Sequence, residues 1–267
     1  MKNKVYLLMA MVLLVGLLPA TGWANDERGS LALVHGLLID GTGAEPIEDG
    51  VMIIRDGKIV AVGSASEIEI PRDAEVIDVG GGAILPGFIN AHVHGGTDPS
   101  NLEAWAWQGV TTVRDLGATA ATLRRFRHLY PPTPERARLV AAGPLITVPG
   151  GYPTVPFGSS TAAPILSPED ARRLAEDLLD DGADLLKLAL ETGTVFGRNI
   201  PVMSLAEASM LVRVAHGRGT VASAHITSVV DIDLALDAGV DDLAHMAVDR
   251  ALPDETLERL VGQSVLW

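Results

Sequence analysis

The sequence predicts an α/β protein in which a small β region precedes repeated strand–helix units. Three observations carry this. Short strands and tight turns fill residues 31–79, and no helical periodicity interrupts them. After Gly80-Gly81-Gly82, apolar strand cores alternate with capped helices, the pattern of a parallel sheet covered by helices. Hydrophobic residues make up 48% of the 267 residues and charged residues 20%, which suits a sizeable core and not a disordered chain.

Residues 1–24 read as a secretory signal peptide. Lys2 and Lys4 form a basic start, Val5 to Leu18 is an apolar run, Pro19 ends it, and Gly22 and Ala24 are the small residues before a cleavage site. The run is short for a membrane span of about 20 residues. The expectation is cleavage after Ala24, a periplasmic or secreted chain, and no membrane attachment once the leader is gone. The next domain, 25–82, holds the strands LALVHGLLID, VMIIR, KIVAVG and EVIDV. Asp56-Gly57 joins the second to the third as a two-residue hairpin. A small β-sandwich or sheet is expected there.

From 83 to 267 the strand cores are AILPGFINAHVH, VTTVRDLG, RLVAAGPLI, DLLKLAL, TVASAHI and DDLAHM. Ser167-Pro168-Glu169-Asp170 opens a helix with an N-cap, a proline in the first turn and a capping acid. Its residues Ala171, Leu174, Ala175, Leu178 and Leu179 share one face. Ser204 and Glu207 cap the next helix, and Gly109, Gly182 and Gly239 each end one before a strand. A doubly wound sheet and a closed barrel both fit this grammar. No G-x-G-x-x-G follows a strand, which weakens the dinucleotide-binding version.

Composition narrows the function classes. Asp+Glu outnumber Lys+Arg by 34 to 20, for a net charge of −14, which argues against a nucleic-acid partner. Aromatics at 4% leave few platforms for stacking bases. The absence of cysteine removes disulfides, thiolate metal sites and cysteine nucleophiles together. A metal would be held by histidine, carboxylate or a modified side chain.

Several polar residues stand on strands that should be apolar. His92 and His94 are two apart at a strand end, so their side chains share a face. That is a metal-chelating geometry, although two histidines also make ordinary polar contacts. Lys187 lies inside DLLKLAL, where a bare ammonium is costly unless paired. It reads as a core ion pair, a Schiff-base lysine, or a lysine carboxylated by CO₂. His225 and His245 end the next two strands. In a barrel, all these strand ends meet on the face where active sites lie. His35, His128 and His216 fall on the N-terminal strand or on polar helical stretches and read as solvated or structural.

Taken in order, PGFINAHVH, TTVRDLG, DLLKLAL, SAHI and DLAHM resemble the amidohydrolase superfamily of metal-dependent hydrolases, in the branch with imidazolonepropionase-like proteins and Xaa-Pro dipeptidases. LALVHGLLIDGTGAEPIEDGVMIIRDGKIVAVG is similar to the β domain that precedes the barrel in many members. The resemblance implies a (β/α)8-type TIM barrel, here incomplete with about six strands, behind a small β-sandwich domain. It implies two divalent metal ions, zinc above all. His92 and His94 would hold one, His225 and His245 the other, and Lys187, carboxylated by CO₂, would bridge them. A metal-bridging hydroxide would attack an amide or cyclic amide bond of a small or dipeptide-like substrate. Asp115 is implied to orient a ligand, with a salt bridge as its alternative. Tyr152, where relatives have a histidine after a glycine pair, is a substrate-binding candidate in the Gly- and Pro-rich loop GGYPTVPFGSS.

The family also carries an aspartate at the end of its eighth strand, which completes a metal shell and shuttles the proton. The sequence stops at SVLW, where a seventh strand would begin, so the catalytic proton carrier is unassigned and a truncated chain is expected. Asp98, Asp241 and Asp242 are poorly placed substitutes. Two other functions compete with the hydrolase. One is a catalytically inactive metal-binding remnant, whose open strand edges favour homo-oligomers. The other is a Schiff-base lyase using Lys187, for which the four strand-end histidines are superfluous.

Overall fold

The structure is a computed structural model that describes residues 29–154 and 162–267. The expected signal peptide lies outside the described residues. The chain divides into two compact units, Met1–Pro86 and Gly87–Trp267.

The first unit holds one five-stranded sheet. Its strands are β1 (Leu31–Leu38), β2 (Ile47–Arg55), β3 (Lys58–Ser64), β4 (Glu75–Asp78) and β5 (Ala83–Ile84), with β3-β2-β1-β4 in order and β5 also paired to β1. The β2–β3 hairpin turns at Asp56 and Gly57, both at positive φ (52° and 71°), as a primed two-residue turn requires. Ala32, Val34, Val51 and Ile53 form its small core. Among the described residues this unit holds this single sheet, and a sandwich is not formed within it.

The second unit is mixed α/β, with two parallel sheets. One has the order β6 (Phe88–Val93), β7 (Val110–Asp115), β8 (Arg138–Ala141). The other runs β10 (Ala162–Pro164), β9 (Leu145–Thr147), β11 (Leu186–Ala189), β12 (Ala222–His225), β13 (Asp242–Leu243). The single stretch RLVAAGPLI thus forms two strands, one in each sheet. It breaks at Gly143-Pro144, where Gly143 has φ 74° and proline supplies no backbone donor. The strands do not close into a barrel among the described residues.

Helices α1 (Pro99–Trp107), α2 (Ala120–Leu129), α3 (Pro168–Asp180), α4 (Leu205–Gly217), α5 (Val229–Ala238) and α6 (Asp254–Gly262) connect or follow the strands. Ser167 caps α3 by accepting from the Asp170 N–H, and Ser204 with Glu207 forms a full capping box on α4. Buried Ala171, Ala175 and Leu178 of α3 and Ala208, Leu211, Val212 and Ala215 of α4 pack with β11 and β12 in one continuous core. This core holds the C-terminal ends of the strands in place. No described helix is long and apolar enough to cross a membrane.

Candidate functional site

A cavity of about 340 Å³ is lined by His92, His94, Lys187, His225, His245 and Tyr152, with Leu116, Gly117, Leu145 and Pro153. The five candidate metal-binding residues are therefore brought together with Tyr152, and Asp115 lies outside the lining. The strands account for this. Lys187 is on β11, His225 closes β12, His92 is on β6, His94 follows β6 directly and His245 lies two residues past β13.

The imidazoles crowd one another. Ring centroids are 5.3 Å apart for His92–His94 and 4.6 Å for both His92–His245 and His225–His245. Tyr152 stacks on His225 at 4.0 Å and 18°. His94 has room for its ring because residue 117 is glycine: a Cβ there would lie 2.7 Å from His94 Nδ1. His92 Nδ1 is 3.1 Å from the Ala244 carbonyl. A carbonyl can only accept, so that nitrogen carries the proton and Nε2 keeps the lone pair.

Burial opposes positive charge on His92, His225, His245 and Lys187. Burial lowers His92 and His225 below the usual histidine value. His245 falls to about 3, first through burial and then through the neighbouring His225, Lys187, His92 and His94. Burial also pulls Lys187 down to about 7, against the opposing charge of Asp242. Burial and the Glu191 charge raise the Tyr152 phenol, so it stays protonated. Among the described residues, no carboxylate lines the cavity, and an uncompensated positive cluster is avoided by losing protons.

Lys187 is 2% exposed. Its ammonium nitrogen donates to Ser223 Oγ at 3.5 Å, and Ser223 donates to Asp242 Oδ1 at 2.6 Å. Asp242 is held by Arg114 through two bonds of 2.8 and 3.2 Å, and Arg114 Nε donates to the Ala91 carbonyl. This chain of partners lies below the cavity and steadies the lysine from the β12 and β13 side. Asp115 is fully buried. Its carboxylate accepts the Gly96 and Gly117 N–H groups at 2.7 and 2.9 Å. It staples the loops after β6 and β7, and so fixes His94 and the glycine beneath it through the backbone.

Sequence reasoning missed Glu191 and Ser223. Glu191 is 1% exposed, its Oε2 lies 3.6 Å from His225 Nε2, and it accepts from Gly193 N and Thr227 Oγ1. The available signal was a lone acid closing the fully apolar stretch LAL. Ser223 carried no signal, because serine is unremarkable in a strand until its neighbours are known.

Metal fit turns on the donors. Among the described residues, no group of three or more His, Asp or Glu side chains is arranged to hold an ion. The donor chemistry nevertheless suits a divalent cation. Imidazoles offer lone pairs to such an ion, and four of them line one cavity. What the cluster lacks is an anion, the one element a modified lysine would add.

No family model matches the chain. It is 42% identical over 107 residues to a deacetylase from Agrobacterium fabrum, covering 38% of this chain and 26% of that one. It is 43% identical over 89 residues to an imidazolonepropionase from Solibacter usitatus, covering 30% and 21%. A crystal structure of an amidohydrolase aligns with a TM-score of 0.70 and 25% identity, over 89% of this chain and 65% of that one. The chain thus matches about a quarter of the length of these curated relatives and just under two thirds of that solved structure. Over the part of their length that it spans, the chain is similar to members of the amidohydrolase superfamily.

Proposed function

We propose that this chain carries the metal centre of a hydrolase that cleaves C–N bonds in small amide, cyclic amide or dipeptide-like substrates. The observation that carries the reading is the meeting of four imidazoles and one buried lysine around a 340 Å³ cavity with no carboxylate among its described lining residues. On this reading the two parallel sheets are part of a (β/α)8-type barrel, whose C-terminal strand ends bear the site. His92 and His94 would hold one divalent ion, zinc above all, and His225 and His245 a second. Lys187 would bridge them once carboxylated.

Bound ions supply Lewis acidity that activates water and polarises a carbonyl. The chain's residues do the rest. Lys187, with a pKa near 7, is about half free amine at neutral pH. Its nitrogen lone pair forms a C–N bond to CO₂, one N–H proton leaves to solvent, and a carbamate anion results. Ser223 and Asp242 hold that side chain in line. Tyr152, protonated and half-buried, offers a hydroxyl to a substrate carbonyl or carboxylate.

The test is a zinc titration of the metal-free chain against a chromophoric chelator, with and without bicarbonate. Two ions are expected with bicarbonate. A His92→Ala/His94→Ala double variant and a His225→Ala/His245→Ala double variant should each lose one. Unchanged stoichiometry in both variants would overturn the reading. Hydrolysis of N-acetylated amino acids, hydantoins and Xaa-Pro dipeptides by the loaded chain then sorts the substrate class. Export is part of the proposal. N-terminal sequencing of periplasmic protein should begin at Asn25, and recovery of chains that start at Met1 would refute it.

A further inference from the structure

Glu191 sits in the loop after β11 with its carboxylate enclosed by protein. An enclosed carboxylate needs donors on both oxygens. Oε1 accepts the Gly193 N–H at 2.6 Å, and Oε2 accepts the Thr227 hydroxyl at 2.6 Å. The same Oε2 stands 3.6 Å from His225 Nε2, a nitrogen sealed from solvent and without a hydrogen-bond partner. That distance is longer than a hydrogen bond, and the carboxylate oxygen is the acceptor that this nitrogen lies beside.

The partners decide which ring nitrogen carries the proton. A carboxylate only accepts, so Nε2 is satisfied against it only as N–H. Nδ1 is then left with the lone pair, on a ring that lines the cavity. The surroundings hold this arrangement. Asp231 Oδ1 accepts the N–H and hydroxyl of Thr192, and Oδ2 accepts the N–H groups of Thr227 and Ser228. The loops that carry Glu191 and Thr227 are thereby pinned to one another. Tyr152, stacked at 4.0 Å, covers one face of the His225 ring.

We infer that Glu191 is a positioning residue that holds His225 in its Nε2–H tautomer and so leaves Nδ1 as the lone-pair donor of a ring that lines the cavity. Its importance for function rests on the metal-centre reading, but the tautomer itself is a property of the metal-free chain.

The experiment uses the full chain, metal-free and labelled with ¹⁵N-histidine. Long-range ¹H–¹⁵N correlation reports the tautomer, and His225→Asn assigns the signal. The native chain should show Nε2–H. In Glu191→Gln the Gly193 N–H keeps the side-chain oxygen, because it can only donate. The amide NH₂ then faces His225 Nε2, which must accept, and the proton moves to Nδ1. Zinc affinity at this position should fall 10- to 100-fold, the usual cost of losing such a partner. Thr227→Val leaves the carboxylate in place and should retain Nε2–H, which keeps the inference testable if the glutamine variant fails to fold.

A native Nδ1–H tautomer, an unchanged tautomer in Glu191→Gln, or an inverted one in Thr227→Val would overturn the inference. The two proposals fail separately. Tautomer inversion in a chain that binds no zinc sinks the metal centre and leaves Glu191 in its role. Zinc binding with a tautomer indifferent to Glu191 does the reverse.

Discussion

Strands β11 and β12 lie inside their sheet with hydrogen-bonded neighbours on both sides, whereas β6 ends its sheet with one edge open. All four residues of β11 and all four of β12 are buried, while the first four of β6 are exposed. Both kinds of strand bring polar residues to the same cavity, but they support them differently. Lys187 and His225 are braced by Ser223, Asp242 and Glu191. On β6, His92 is tied by one bond to the Ala244 carbonyl, and His94 rests against a glycine. The lesson is that an interior strand surrounds its polar side chain with partners, and an edge strand leaves it to backbone and ring contacts.

The contrast can be broken or sharpened by mutation, and the largest effect belongs to the interior. Leu188 is fully buried, so Leu188→Ala should lower stability by about 4 kcal/mol in urea unfolding. A loss near that at the edge would overturn the contrast.

Lys187 gives a comparable effect, in the metal-free chain. The unfolded chain keeps its lysine proton up to 10.5 and the folded chain releases it near 7. The unfolded state therefore binds more protons between those values, and stability rises with pH through that window. Below pH 7 both states are charged and the folded one bears the full burial cost. Lys187→Met should remove the rise and stabilise the chain at pH 6 by up to about 5 kcal/mol. Identical pH slopes for the two proteins would show that Lys187 does not carry the cost.

A smaller acid effect belongs to His245, whose ring solvent partly screens. Its folded pKa near 3 lies below the unfolded 6.5, so stability should fall as pH drops from 6.5 towards 3. His245→Gln should flatten that limb of a thermal-unfolding pH series. The smallest effect is expected at the open edge. Ile89 is 70% exposed, and Ile89→Ala should change the unfolding free energy in urea by no more than about 0.5 kcal/mol.

Much of the strand–helix order was legible because it rests on local signals. Apolar runs bounded by caps and glycines gave the α3 and α4 starts, and Asp56-Gly57 marked the hairpin. The break of RLVAAGPLI into β8 and β9 was not legible, since an apolar run does not say which neighbour each half will pair with. The cavity residues stood out as polar groups in apolar strands. Their support did not: Glu191 and Thr227 are 36 positions apart, as are Lys187 and Ser223, and Arg114 and Asp242 are 128 apart.

The sequence by itself singled out the polar residues that line the cavity, because histidine and lysine inside apolar strands are costly enough to be conspicuous. It also determined the absence of thiol ligands, since there is no cysteine to supply one. Only the tertiary structure decided what each of these side chains leans on. The pairing of β11 with β12 and of β12 with β13 puts Ser223 beside Lys187 and Asp242 beside Ser223. The loops that follow put Glu191 against His225. Hydrogen bonds act over about 3 Å, so partners distant in the chain become partners only when the sheet sets them side by side.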